Sequence, residues 1–150
     1  MLRLTKKTEY ALLALRMMGR AAAGDLLTAK AIAAQYHAPE MLLAKVLQRL
    51  KQRGIVLAAK GSGGGYRLAR ALGEIALTDV LALFDEPVSL VACQVHDDSH
   101  CDQLAHCDIK GPLAVLNEAI MAPIRHMTVE DLFVTPPPVA RRAGPFLISH

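Results

Sequence analysis

A mainly α-helical fold carrying one small β-hairpin is what the sequence predicts, and three observations predict it. Hydrophobic residues make up 53% of the 150, with only 4% aromatics and no Trp. That apolar content is mostly Ala, Leu, Val and Ile, a mix that suits packed helices better than a β-sandwich. Apolar residues recur at helical spacing in successive segments near the start of the chain. Glycines 61, 63, 64 and 65 then interrupt two short apolar runs, as the tip of a hairpin does.

The first helix is expected over about 5–22, with Tyr10, Leu13, Ala14, Met17 and Met18 as its apolar stripe. Gly24-Asp25 ends it. Thr28 is a good N-cap for a second helix, 29–36. After the short turn His37-Ala38, Pro39 opens a third helix, where its missing N–H costs little. This helix is expected to reach Arg53, burying Leu42, Leu43, Val46, Leu47 and Leu50, with Gly54 as its C′ residue. Residues 55–58 read as a strand, 60–65 as a turn and 66–68 as the return strand. Thr78 is expected to cap a fourth helix over 79–84. Residues 86–110 show no clear period. Residues 112–127 are helical, with Leu113, Leu116, Ile120 and Ile124 on one stripe and Pro123 as a potential kink. Thr128 caps a last turn through Phe133. The tail 134–150, with Pro136-Pro137-Pro138, is expected to be disordered.

Charge divides this chain more sharply than its net +3 suggests. Residues 1–75 hold 13 Lys+Arg against 4 Asp+Glu, and residues 76–150 hold 4 against 10. The first half is therefore +9 and the second −6, which points to a polyanion partner for the first half. No apolar run is long enough to span a membrane. The start lacks the apolar stretch of a secretory signal, so a cytoplasmic location is expected. Three cysteines is an odd number, and a reducing compartment disfavours a disulfide framework.

Three helices followed by a glycine-tipped hairpin is the element order of a winged helix-turn-helix, expected over residues 1–85. The third helix would enter the major groove of double-stranded DNA, with the hairpin as the wing. Its outer side offers Glu40, Met41, Lys45, Gln48, Arg49 and Gln52. Residues near its N-terminus are placed to reach base edges, and cations nearer its end to reach phosphates. Lys60 and Ser62 lie on the wing turn, where a Lys suits the negative minor groove. A nucleotide phosphate loop is excluded by context: the turn precedes a strand and lacks the Lys-Ser/Thr pair.

The cysteines fall as Cys93-x7-Cys101-x5-Cys107 in segment 86–110, interspersed with His96, His100 and His106. Thiolates are soft ligands that favour iron–sulfur clusters or zinc, and a Cys3His zinc set remains open at this point. A cysteine- or zinc-dependent enzyme is the reading from another class. It lacks support from a Gly-x-Ser-x-Gly or His-Glu-x-x-His motif.

Taken together, these features resemble the IscR/NsrR-type (Rrf-two) family of winged-helix transcription regulators over about residues 1–133. The residues that carry the resemblance are Leu4-Thr5-Lys6 with Tyr10-Ala11-Leu12, the wing from Gly61 to Leu68, and the Cys93, Cys101, Cys107 triplet. The resemblance implies a homodimer through the C-terminal helix, here residues 111–133. It also implies an iron–sulfur cluster, 2Fe-2S or 4Fe-4S, on the three cysteines, lost readily on purification in air. In some members the fourth ligand is a His three residues after the third cysteine; here that position is Lys110. In others it is an acidic residue of the partner's first helix, a position matched by Glu9. His100 and His106 remain alternatives. The function implied is a non-enzymatic regulator sensing redox poise, nitric oxide or iron–sulfur status. A structural zinc protein that binds DNA without sensing is the alternative.

Overall fold

The computed structural model describes residues 4–84 and 106–134. In chain order its elements are α1 (Lys6–Arg20), α2 (Ala29–Tyr36), α3 (Glu40–Gln52), β1 (Val56–Ala59), β2 (Gly65–Leu68), α4 (Leu77–Leu81) and α5 (Lys110–His126). Short 3-10 turns at Leu72–Glu74 and Ala82–Phe84 flank α4. Mainly helical, with one two-stranded antiparallel hairpin, this is the winged-helix order the sequence predicts.

Each helix begins and ends for a local reason. The Thr5 hydroxyl accepts from the Thr8 amide and opens α1, and the Thr28 hydroxyl accepts from the Ala31 amide at 3.0 Å and opens α2. His37 ends α2 in the left-handed region at φ 50, which lets the Ala38 amide reach back to the Ala33 carbonyl at 2.9 Å. Pro39 is the N-cap of α3, one position before its expected place. Gly54, at φ +67, closes α3 with two bonds: Gly54 N–H to Lys51 O and Ile55 N–H to Leu50 O. Ile55 and Leu50 are both buried, so the chain turns directly from α3 into the wing.

The α1 core face differs from the stripe expected of it. Ala11, Ala14, Leu15 and Met18 are buried, while Tyr10, Leu13 and Met17 are only half-buried. The alanines let α1 pack closely on α3, and that contact decides the rotation of the helix. On α3, Leu43, Val46, Leu47 and Leu50 are buried. Ile32, Ile55, Val56, Ile75 and Val80 complete the same core.

The hairpin pairs Val56 with Leu68 through to Ala59 with Gly65. Near its turn the hairpin is wider than two strands. Leu27, just before α2, exchanges backbone hydrogen bonds with Tyr66 at 2.9 and 2.8 Å. A Cβ at Gly65 would lie 2.9 Å from the Leu27 carbonyl, so this approach requires glycine.

Two corrections concern the second half. Thr78 does not cap α4, which starts at Leu77 after Ala76, so Thr78 lies inside the helix. The reason is tertiary: the Leu77 amide donates to Met127 O at 2.9 Å, so no side-chain cap is needed there. The helix expected from Pro112 begins at Lys110 and continues through Pro123. Beyond it the chain returns to the winged-helix body. Val129 N–H donates to Ile75 O at 2.9 Å, and its side chain is fully buried in the common core. Thr128 and Asp131 cap each other reciprocally in the turn that follows. No described helix is long and apolar enough to cross a membrane.

Candidate nucleic-acid interface

Helix α3 buries one side against α1 and α2, and this leaves its other side to solvent. Lys45, Gln48, Arg49, Lys51 and Gln52 are all exposed there. Met41 stands in the first turn, 79% exposed, although it is a large apolar side chain. Lys60 and Ser62 are exposed on the five-residue turn between β1 and β2. Cations and amides thus sit on the one helix face that the core does not use, and the wing carries a further cation.

A cleft of about 270 Å³ runs along the flank of α3. Lys45, Gln48, Arg49 and Gln52 line it, Leu42, Val46, Leu83 and Phe84 supply apolar wall, and Lys7 of α1 closes it. No acidic residue is among the lining residues. Three cations in one concavity make a favourable seat for a phosphate. Sequence reasoning missed Lys7. Its signal was available: Lys7 precedes Ala11, Ala14 and Met18 at helical spacing, so it extends the inward face of α1 towards α3.

The expected cofactor residues are distributed differently. Cys93 and Cys101 lie outside the described residues. Cys107 is half-buried, free of any disulfide, and three residues before α5. Glu9 lies on α1, where its carboxylate pairs with Lys6 at 2.6 Å while 40% exposed. His106 is exposed, and His100 lies outside the described residues. Among the described residues no three His, Cys, Asp or Glu side chains gather as a metal site.

On α5 the expected stripe is only partly covered. Leu113, Ile120 and Ile124 are half-buried and Leu116 is 50% exposed, with Ile109 and Val115 exposed beside them. At 3.6 residues per turn these side chains, with Pro112, Ala119 and Pro123, span about half the helix circumference. Met121 is the buried residue of α5, on the side that meets α4. Glu118 and Arg125 pair away from the apolar arc.

Known proteins agree with this arrangement. A family model for Rrf2, described as an iron-dependent transcriptional regulator, matches residues 4–135. Protein aau3 of Rhizobium meliloti is 32% identical over 139 residues, 92% of this chain and 89% of its own length. The HTH-type transcriptional regulator NsrR of Halalkalibacterium halodurans is 32% identical over 134 residues, 87% of this chain and 90% of the relative. Among solved structures, CymR, the global cysteine regulator of B. subtilis, superposes with a TM-score of 0.68 at 23% identity. That superposition covers 88% of this chain and 96% of CymR, and it bears on the fold. A basic recognition face beside a glycine-tipped wing, a match over nearly the whole described chain and relatives of this kind converge: the chain belongs to the Rrf2 family and is a DNA-binding, winged-helix transcriptional regulator.

Proposed function

We propose that this regulator works as a homodimer whose DNA affinity is set by an iron–sulfur cluster on Cys93, Cys101 and Cys107, with Glu9 of the partner subunit as fourth ligand. The observation that carries the reading is the position of Cys107. It stands at the head of α5, and the far end of α5 is joined by backbone hydrogen bonds to the DNA-binding body.

The donor set fits such a group. Three thiols in one stretch favour soft metals, and the half-buried, unbridged Cys107 thiol is free to act as a ligand. Glu9 holds a partly exposed carboxylate on α1, paired with Lys6. When bound, a cluster supplies a centre that responds to oxidants, nitric oxide or iron supply. The chain's own residues do the rest. Cys107 ties the cysteine segment to α5. The apolar arc of Leu113, Leu116, Ile120 and Val115 meets its copy across a two-fold axis. The pairing of 127–129 with 75–77 fixes the end of α5 to the body that carries α3. A shift at the Cys107 end of α5 thereby alters the spacing of the two recognition helices, which must match half-sites about one helical turn apart. Lys7, Lys45 and Arg49 hold phosphates, Met41 and Gln48 face the bases, and Lys60 and Ser62 enter the adjacent minor groove.

The test is anaerobic purification of the full chain, with a visible spectrum and assays for iron, sulfide and zinc. Broad visible absorption with iron and sulfide is expected. It should be lost in Cys93→Ala, Cys101→Ala and Cys107→Ala, and altered in Glu9→Ala. DNA affinity should differ between loaded and stripped protein. One zinc per chain without iron or sulfide defeats the sensing reading. Loss of metal in His100→Ala or His106→Ala, with no change in Glu9→Ala, defeats the choice of Glu9.

A further inference from the structure

We infer that Met41 reads the 5-methyl group of a thymine in the major groove, making it a specificity-determining residue of the recognition helix. The inference rests on the DNA-binding reading of α3 and goes beyond it by naming the base and the atom recognised.

Met41 is the most exposed large hydrophobic side chain among the described residues, at 79%. Its neighbours in the first turn explain why it is not part of the core. Leu43 turns inward, Leu42 lies half-buried on the flank of the cleft, and Met41 points away from the core, on the face that carries Lys45, Gln48 and Gln52. Lys45 lies four residues on and Gln48 seven, so the three side chains form one row along the helix. Two of that row, Lys45 and Gln48, also line the basic cleft along α3.

Within that row Met41 has no chemistry for a hydrogen-bond code. Its thioether is a weak acceptor and it has no donor. Gln48 can read acceptor and donor patterns on base edges, whereas Met41 cannot. The major groove offers one apolar group to a protein, the thymine 5-methyl. A flexible, polarisable side chain at the N-terminal end of the helix suits contact with a methyl that projects into the groove. Burying that methyl against Met41 removes apolar surface from water on both partners. From the transfer free energy of one methyl, the contact is expected to favour thymine over a demethylated base by about fourfold.

The experiment uses the full-length protein and a duplex that the native protein selects from a randomised DNA pool. Each thymine of that duplex is replaced in turn by deoxyuridine, which removes the 5-methyl and leaves every hydrogen-bonding group in place. Native protein is expected to lose about fourfold in affinity at one thymine per recognition helix. Met41→Ala should bind the thymine duplex more weakly and lose nothing further with deoxyuridine at that position. Met41→Leu should keep the preference. Because Met41 is exposed, both variants are expected to fold, and circular dichroism checks this. Native protein indifferent to deoxyuridine at every position overturns the inference, as does full thymine preference in Met41→Ala. A pool that yields no preferred duplex overturns both this inference and the DNA-binding assignment of α3; a preferred duplex without methyl sensitivity overturns this inference alone.

Discussion

Val129→Ala tests whether the chain after α5 is part of the DNA-binding body. Val129 is fully buried in the same core as Leu47 and Ile75, and its amide is bonded to Ile75 O. Alanine removes two buried methyl groups, worth about 0.8 kcal/mol each in transfer free energy. The backbone pairing on either side restrains collapse into the space, and the residual cavity raises the expected loss to about 2–3 kcal/mol. With a urea slope of about 2 kcal/mol/M, the unfolding midpoint falls by about 1–1.5 M. Urea denaturation followed by circular dichroism reads this, at one fixed protein concentration because a dimer's stability depends on concentration. Leu132→Ala, at a residue 40% exposed, is the control and should cost under about 0.5 kcal/mol. An equally small loss for Val129→Ala would refute the reasoning, because the segment would then be an ornament on the surface.

Other expectations concern assembly, DNA and acid. Replacing Leu116 and Ile120 together by Glu should give monomers that bind DNA poorly, seen by light scattering; a native monomer at micromolar concentration contradicts the dimer. Lys7→Ala and Arg49→Ala should weaken binding to all duplexes alike and each lower the salt slope by about 1, and salt-independent native binding rules this out. Lys60→Ala should relax any preference for A·T-rich flanks, measured on paired duplexes. The Asp131 carboxyl is held below its ordinary value by hydrogen bonds from the Thr128 amide and hydroxyl. A depressed folded pKa adds stability above the unfolded value and loses it as pH falls through the folded one. Asp131→Asn should therefore be less stable than native at neutral pH and show a shallower acid loss, followed by thermal melts across the acid range; parallel curves would argue against the cap.

What the sequence disclosed was whatever leaves a local signature. Thr28 and His37 bound α2 at the residues where its apolar pattern stops. Gly54 announces the end of α3, and the glycines announce the wing. The exposed row of α3 follows from its buried row, so Met41, Lys45, Gln48 and Arg49 were all legible. Features made by pairing between distant segments were not. Leu27 joins the hairpin as a single bridge, too short to show any alternation. Thr78 has the chemistry of a cap, yet the carbonyl of Met127, far along the chain, takes that role and moves the start of α4. Val129 belongs to a turn by local pattern and to the core by contact. Cys93 and Cys101 were legible as ligand candidates from residue type alone, and they fall outside the described residues.

The bridge between Leu27 and Tyr66 has a kinetic consequence. Leu27 adjoins Thr28, the cap of α2, so the turn end of β2 and the start of the helix-turn-helix share one pair of backbone hydrogen bonds. Helix-turn-helix and wing strands therefore meet DNA as a single rigid lever, and only the turn at 60–64 is left to adjust. Association with a short duplex should then proceed in one bimolecular phase, its rate steered by salt, without a slower unimolecular step in which the wing folds down after the helix has docked.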